Sequence, residues 1–252
     1  MAKQIIYLLR HGQTFWNAED KKKHQTHSDG YGNLLTEEGI KQAHYAARLL
    51  EDVDLDYAFH TPLKRSKQTL DIILKYHPET KISEKPELRE MSMSFLDGMT
   101  QEDWEREFPE TKPLYNNRKK DKFGCKVPEG IDYSSCIERA KQIAEENGEY
   151  GKVIPPWENY ADVVKRIGES FIPELDMMGD CSIVISGHQG VNRALLGNLL
   201  AGSIHLPEMR GIVNLETPNA VIFRVERSQD GVRLYHNEEG DWSYGFIGEK
   251  NQ

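Results

Sequence analysis

The sequence predicts an α/β fold with a mostly parallel central sheet and helices on both faces. Short apolar runs at 4–9, 55–60 and 182–186 are typical of buried strands. Amphipathic stretches separate these runs, and the clearest of them begins after Thr36, a residue type favoured at helix N-caps. Strands that alternate with helices pair in parallel, because each helix returns the chain across the sheet to the start of the next strand.

The first half of the chain predicts two strand–helix units. The strand at 4–9 ends abruptly at Arg10-His11-Gly12, and the helix after Thr36 has acidic residues in its first turn and alanines at helical spacing. The strand at 55–60 leads into a helix that opens at Thr61-Pro62, with Pro62 in the favoured first turn.

The last third of the chain predicts one more strand–helix unit and a hairpin. The strand at 182–186 runs into Gly187-His188-Gln189-Gly190, after which apolar residues recur at helical spacing. The segments 220–225 and 231–235 are predicted to pair around Gln229-Asp230-Gly231.

The middle of the chain, from about 102 to 160, has a weaker pattern and is richer in proline, glycine and charge. We interpret it as a cap inserted into a single domain of 1–252, with an isolated amphipathic helix at 134–147. Charged residues are concentrated within 112–126, and they are Lys112, Arg118, Lys119, Lys120, Asp121, Lys122 and Lys126. A solvated surface excursion is the simpler interpretation of such a stretch.

Composition argues against several classes of protein. The 32 Lys and Arg are outnumbered by 41 Asp and Glu, and the net charge of −9 disfavours nucleic-acid binding, since phosphate contacts need a basic surface. No apolar run is long enough to cross a bilayer, which takes about 20 residues, and the N-terminal one is too short for a secretory signal. Three cysteines without CxxC spacing fit a reducing, cytoplasmic location and disfavour a thiolate zinc site.

Two segments share one pattern, an apolar strand followed by histidine and glycine, at 7–12 and 184–190. Ligands bind beyond the carboxyl ends of the strands in an open α/β sheet. We therefore predict that His11 and His188 meet in one site although they lie far apart in the chain. A single histidine after a strand is more often structural, so the prediction depends on the pair.

Two further segments add charged groups. Arg65 stands in the first turn of a predicted helix, where backbone amides and a guanidinium suit a phosphate group. Glu90, within 86–91, offers a carboxylic acid. Taken alone, Arg65 is better explained as a surface helix residue, and Glu90 has the simpler interpretation of a solvated glutamate.

Together these segments resemble the histidine phosphatase superfamily, which has the phosphoglycerate-mutase-like fold. The resemblance covers the chain from residue 5 to about 200 apart from the middle, and its motifs occur in the order of the family. They are Arg10-His11-Gly12-Gln13-Thr14 with Trp16-Asn17, Leu35-Thr36-Glu37-Glu38-Gly39 with Gln42-Ala43, Thr61-Pro62-Leu63 with Arg65 and Gln68-Thr69, Leu88-Arg89-Glu90 with Gly98-Met99-Thr100, and Ser186-Gly187-His188-Gln189-Gly190-Val191-Asn192-Arg193.

The resemblance implies a role for each candidate residue. His11 resembles the nucleophile that becomes phosphohistidine, and Glu90 resembles the proton donor to the leaving oxygen. The phosphate-binding residues implied in the same way are Arg10, Arg65 and His188, with Asn17 as a further donor. Two guanidinium groups and a cationic histidine neutralise a phosphoryl group without a metal, so we expect no metal or other cofactor.

The expected activity is that of a metal-independent phosphatase acting on a small-molecule phosphate ester. A bisphosphoglycerate-dependent phosphoglycerate mutase is the alternative among enzymes, although 21–27 lacks the Phe-Thr-Gly-Trp-like stretch of those mutases. A binding module without activity is the third interpretation. Gln13, Ser94 and Gln189 depart from residues common in the family, which affects expected substrate preference and not the expected reaction.

Other expectations concern the surroundings of the site. His24 and His27 lie on a polar, lysine-rich segment and are predicted to be solvated loop residues and not metal ligands. The residues that we consider as lining for the substrate are Tyr115, Arg118, Trp157 and Tyr160. The substrate itself is left open, as is the oligomeric state, for which a homodimer is one option.

Overall fold

The computed structural model describes residues 2–18, 20, 22–111, 134–146, 148, 155, 157–201, 217–238 and 241–248. Within these residues, seven strands form one sheet, and they are β1 (Gln4–Arg10), β2 (Tyr57–His60), β3 (Lys81–Glu84), β4 (Cys181–Gly187), β5 (Ile222–Ser228), β6 (Gly231–Glu238) and β7 (Asp241–Gly248). The described helices are α1 (Phe15–Ala18), α2 (Glu37–Leu50), α3 (Lys64–Ile73), α4 (Gln101–Glu107), α5 (Ser134–Glu146), α6 (Tyr160–Met177) and α7 (Gln189–Ala201).

The predicted α/β class is confirmed. The strands lie in the order β3-β2-β4-β1-β5-β6-β7, and the first four of this order are parallel to one another. Strands β5, β6 and β7 extend the sheet as an antiparallel ribbon. The register places Arg10 beside Gly187 and His60 beside Ser186, so β1, β4 and β2 end at the same edge of the sheet.

Helices cover both faces of this sheet. Along β1, Ile6 and Leu8 point into a core built mainly with α6 and α7, whereas Tyr7 and Leu9 point into a core built with α2 and α3. This two-sided burial explains why the strand is an almost continuous apolar run. The predicted N-cap of α2 is confirmed, because the Thr36 hydroxyl accepts the Gly39 N–H at 3.0 Å.

Two predicted features of the chain differ from the structure. Helix α3 begins at Lys64 and not at Pro62, because Leu63 has extended backbone angles. The predicted C-terminal hairpin is confirmed as β5 and β6, but it continues into β7, which the sequence did not indicate. Strand β3 was not predicted. It is a four-residue edge strand with mostly exposed side chains, so it lacks an apolar pattern.

Part of the predicted cap lies among the described residues. The predicted helix at 134–147 is observed as α5, and it packs with α4 and the 93–99 segment in a third hydrophobic cluster around Trp104. The basic segment 112–126 lies outside the described residues. In the parts of the chain that the structure describes, no helix is both long and apolar enough to cross a membrane.

Candidate active site

The segments that follow β1, β4 and β2 meet at one edge of the sheet: two loops carry His11 and His188, and the first turn of α3 carries Arg65. The His11 backbone N–H donates to the Gly187 carbonyl at 3.0 Å, which ties the first two loops together. The two imidazole rings are tilted against each other, with centroids 5.3 Å apart. The structure therefore brings together the two histidines that the sequence pattern paired.

The ring of His11 is almost fully buried, and both of its nitrogens are engaged. Nδ1 lies 2.8 Å from the Gly12 carbonyl oxygen, which can only accept, so Nδ1 carries the hydrogen. Nε2 consequently has a lone pair, and it accepts from Arg65 Nε at 3.2 Å. Burial, followed by the charges of Arg65 and Arg10, lowers the pKa of His11 well below its ordinary value, so the ring is neutral at pH 7.

His188 is equally buried, but its nitrogens have different surroundings. Nε2 lies 2.8 Å from the Thr61 hydroxyl, whereas Nδ1 has no hydrogen-bond partner among the described residues. Burial and then Arg65 lower the pKa of His188 well below its ordinary value. The expectation of a cationic histidine is therefore wrong for this structure, since the same arginines that suit a phosphate disfavour a second cation.

The arginines are held in place by the chain around them. Arg65 is 0% exposed, and its Nη2 donates to the Thr26 carbonyl at 2.9 Å. Arg10 ends β1, and its buried Nε has no hydrogen-bond partner among the described residues. Burial lowers the pKa of Arg10 to about 10, so the guanidinium remains charged at neutral pH.

Asn17 and Glu90 lie on two other segments that approach this edge. Asn17 Oδ1 accepts the Thr14 N–H at 2.9 Å, and its buried Nδ2 has no partner within the described ranges. The Glu90 side chain lies against the start of α7, where its carboxyl oxygens accept the N–H groups of Gly190 and Val191, each at 3.1 Å. A Cβ on Gly190 would come within 2.5 Å of Glu90 Oε1, so this approach requires glycine.

A buried aspartate that the sequence reasoning missed anchors the segment from 26 to 28. The Asp97 carboxylate accepts the successive backbone N–H groups of Thr26, His27 and Ser28, and burial raises its pKa despite these bonds. Arg65 binds the same segment from its carbonyl side. The available signal was an acid directly after two apolar residues, at 95–97.

The prediction of a solvated loop residue is wrong for His27, whereas His24 is partly exposed. His27 is 0% exposed, because Asp97 draws its backbone into the protein, and its pKa is lowered by burial and by nearby arginines. His24 packs edge-on against Trp104, with ring centroids 5.6 Å apart. No group of three His, Cys, Asp or Glu side chains among the described residues is arranged to hold a metal ion.

Two hydroxyls, of Ser66 and Thr69, whose roles the sequence reasoning missed, tie the loops to one another. Thr69 accepts the Gly12 N–H at 3.0 Å, and Ser66 accepts the Thr61 N–H at 3.1 Å while it donates to the Ser186 carbonyl. These residues come one helical turn apart on α3. They hold the ends of β1, β2 and β4 in fixed relation to the helix that carries Arg65.

The structure describes two of the four residues that we considered as substrate lining. Tyr160 is 3% exposed and packs in the main core at the start of α6, and its place in the lining stays a prediction. Trp157 stacks on Phe95 with ring centroids 6.1 Å apart, in the described part of the cap. Tyr115 and Arg118 lie outside the described residues.

Sequence comparison identifies the class of protein that has this fold and site. Residues 6–149 match the histidine phosphatase superfamily (branch 1), and the chain belongs to this superfamily. Among curated proteins, the "Probable phosphoglycerate mutase GpmB" of Yersinia pestis is 33% identical over 132 residues, which are 50% of this chain and 54% of that protein. The match thus spans about half the length of these relatives.

Solved structures with the same fold include both phosphatases and a mutase. The α-ribazole phosphatase of Shigella flexneri is 21% identical, with a TM-score of 0.59 and coverage of 97% of this chain and 96% of that one. A mycobacterial glucosyl-3-phosphoglycerate phosphatase, solved with VO3, is 18% identical (TM-score 0.61, coverage 94% and 98%). The phosphoglycerate mutase of Bacillus anthracis is 16% identical (TM-score 0.59, coverage 98% and 94%). At these identities the likeness shows the fold alone.

Proposed function

We propose that the protein is a metal-independent phosphatase that hydrolyses small-molecule phosphate monoesters through a phosphohistidine at Nε2 of His11. One observation carries the proposal. The Gly12 carbonyl fixes the hydrogen of His11 on Nδ1, so Nε2 presents a lone pair beside the Arg65 guanidinium in a buried site. A neutral imidazole in this tautomer is a competent nucleophile at neutral pH.

The surrounding donors support a phosphoryl-binding site. Arg10 Nε, Asn17 Nδ2 and His188 Nδ1 are buried polar atoms that have no partner among the described residues. Buried polar groups are nearly always hydrogen-bonded, so we expect each of these atoms to bind an acceptor that a ligand supplies. The three equatorial oxygens of a transferring phosphoryl group are such acceptors, and the charges of Arg10 and Arg65 stabilise them.

The reaction has two displacements. In the first, the lone pair of His11 Nε2 attacks phosphorus, the bond from phosphorus to the ester oxygen breaks, and that oxygen takes a proton from the Glu90 carboxyl group. In the second, the Glu90 carboxylate takes a proton from water, whose oxygen attacks phosphorus. The phosphorus–nitrogen bond then breaks, and inorganic phosphate leaves with His11 regenerated.

The hydrogen bonds of Glu90 support this proposed double role. Its backbone-facing contacts to Met91, Gly190 and Val191 fix the carboxyl group at the N-terminus of α7, directly after the loop that carries His188. The charge of Glu90 also acts on Arg10, where it opposes the effect of burial on the pKa of that guanidinium. The carboxyl group therefore lies within electrostatic reach of the phosphate-binding arginine.

The substrate class is proposed from charge and from the relatives. The proteins similar to this chain are named for phosphoglycerate, glucosyl-3-phosphoglycerate and α-ribazole, which are small molecules. Since the whole chain carries a net charge of −9, an anionic substrate needs a local positive path to the site. The basic segment 112–126 of the cap is our candidate for that path.

Mutase activity is the second candidate, because the named relatives at 33% identity are probable phosphoglycerate mutases. A mutase and a phosphatase share the first displacement and differ in the acceptor of the phosphoryl group. With 3-phosphoglycerate and a trace of 2,3-bisphosphoglycerate, a mutase forms 2-phosphoglycerate, whereas a phosphatase releases inorganic phosphate.

The test is a screen of phosphate monoesters in the presence of excess EDTA, read as release of inorganic phosphate. We expect hydrolysis by the wild type and background values for His11→Asn. The half-exposed His44 on α2 offers a matched control, and His44→Asn should retain full activity after the same purification. Equal release by His11→Asn and the wild type would contradict the proposal, as would activity that disappears with EDTA and returns with one divalent ion.

A further inference from the structure

The contact between Thr61 and His188 joins two of the loops at the active edge. Thr61 directly follows β2 and is 0% exposed, and its hydroxyl oxygen lies 2.8 Å from His188 Nε2. The Thr61 backbone is held as well, because its N–H donates to Ser66, which in turn donates to the carbonyl of Ser186. The hydroxyl therefore has a fixed place relative to the end of the strand that carries His188.

The direction of this hydrogen bond follows from counting donors and acceptors. The Thr61 hydroxyl oxygen accepts the Leu63 N–H at 3.4 Å. Its one hydrogen has a single acceptor among the described residues, which is His188 Nε2. The reverse arrangement would leave a buried hydroxyl hydrogen without an acceptor, which is unfavourable. Thr61 thus donates, and Nε2 accepts.

We propose that Thr61 sets the tautomer of His188: its hydroxyl holds the ring neutral with the hydrogen on Nδ1, and Nδ1–H then donates to a phosphoryl oxygen of the substrate. The inference rests on the proposed function and assigns a positioning residue to the same site. His188 Nδ1 is the remaining polar atom of the ring, and it is buried without a partner among the described residues.

In this proposal, a hydrogen bond at one ring nitrogen gives each histidine its role, and the two roles are complementary. Both rings carry the hydrogen on Nδ1, but His11 commits Nδ1 to the Gly12 carbonyl and His188 commits Nε2 to Thr61. One ring therefore offers a lone pair to phosphorus and the other offers an N–H to oxygen. The lowered pKa of His188 agrees with this assignment, because a tautomer exists only in a neutral ring.

The test compares Thr61→Val, which keeps the shape and removes the hydroxyl, with Thr61→Ser, which keeps the hydroxyl. Nitrogen-15 NMR of histidine-labelled protein reports which ring nitrogen carries the hydrogen, with His188→Gln used to assign the signal. We expect Nδ1–H in the wild type and in Thr61→Ser, and a shift towards Nε2–H in Thr61→Val.

Binding of inorganic phosphate supplies a second measurement that needs no turnover. Loss of one donor to a charged group weakens binding by about 10- to 100-fold, so Thr61→Val should bind phosphate that much more weakly and Thr61→Ser should restore it. Nε2–H on His188 in the wild type overturns the proposal, even if Thr61→Val does not fold. So does phosphate binding by Thr61→Val at wild-type strength. Failure of the wild type to hydrolyse any ester, with the tautomer shift intact, contradicts the proposed function alone.

Discussion

The loops after β1 and β4 each begin with a buried histidine, and the comparison between them suggests how one site obtains two kinds of group. Residue type, burial, strand position and lowered pKa are the same for His11 and His188. The partner of the committed nitrogen is different: a backbone carbonyl for His11 and a threonine hydroxyl for His188. In the roles that we propose, the second hydrogen bond of each histidine, and not its position in the fold, sets its chemistry.

The largest expected effect separates the two rings directly. We expect His11→Asn to lower turnover by at least about 10⁴-fold, because the nucleophile is lost. His188→Ala removes the proposed Nδ1–H donor and should lose about 10²–10³-fold, as for one missing donor to a developing charge. Initial rates on one ester check this difference, and an equal loss in both variants would break the distinction between nucleophile and donor.

Glu90 sharpens the comparison, because its effect depends on the leaving group. Glu90→Gln should slow phosphorylation of His11 by an alkyl phosphate about 10²–10⁴-fold, while an activated aryl phosphate, whose phenolate leaves unaided, should be affected little. Burst kinetics isolate the phosphorylation step, and Glu87→Gln, three residues earlier in the chain, is the matched control. If both substrates slow equally, Glu90 positions the substrate and is not the acid.

The neutrality of the buried histidines predicts how stability depends on pH. Burial lowers the pKa values of His11, His27 and His188 in the folded state, so protonation favours the unfolded chain. Stability is fully present above the unfolded value of about 6.5 and is lost as the pH falls, by at most about 1.4 kcal/mol per histidine and pH unit.

Urea unfolding at pH 7.5 and 5.5 measures this loss. The wild type should lose more stability than His27→Gln over this interval, because the variant has one fewer histidine to protonate. Asp97, whose pKa is raised by burial, titrates in both proteins and cancels from the difference. Equal losses in the two proteins would mean that His27 is not buried in its neutral form.

The smallest effect is expected in the cap. Neutralising Lys119, Lys120 and Lys122 together should raise KM several-fold and flatten its dependence on salt, with kcat nearly unchanged, because these charges attract the substrate and do no chemistry. Kinetics between low and physiological salt check this. A large fall in kcat at constant KM would place the cap in the catalytic step and remove the contrast with the sheet edge.

The sheet edge was more predictable from the sequence than its details were. Strands β1, β2 and β4 are apolar runs buried on both faces, and α2 begins after a capping residue. Residues that are adjacent in the sequence therefore suffice to predict these elements. The start of α3 was predicted two residues early, because Leu63 is extended where Pro62 suggested a helical turn. The tautomer of a ring depends on atoms from other segments, and no local pattern contains them.

The same distinction explains the errors at the site. His27 lies in a polar, lysine-rich stretch that predicts exposure, but a distant carboxylate, Asp97, binds its backbone and buries it. Thr61 and Thr69 belong to the motifs that carry the family resemblance, but nothing in the sequence indicates what their hydroxyls, or that of Ser66, bind. Their roles depend on the register between parallel strands, which is a property of the tertiary structure.

The claim that Nε2 of His11 carries the phosphoryl group is tested most directly by trapping the phosphoenzyme. Rapid quenching in base with a slowly hydrolysed ester, followed by phosphorus-31 NMR of the digested protein, identifies the modified atom. We expect a base-stable, acid-labile phosphohistidine on the Nε2 atom of His11, absent from His11→Asn. Phosphate on Nδ1, on His188 or on a carboxylate would contradict it.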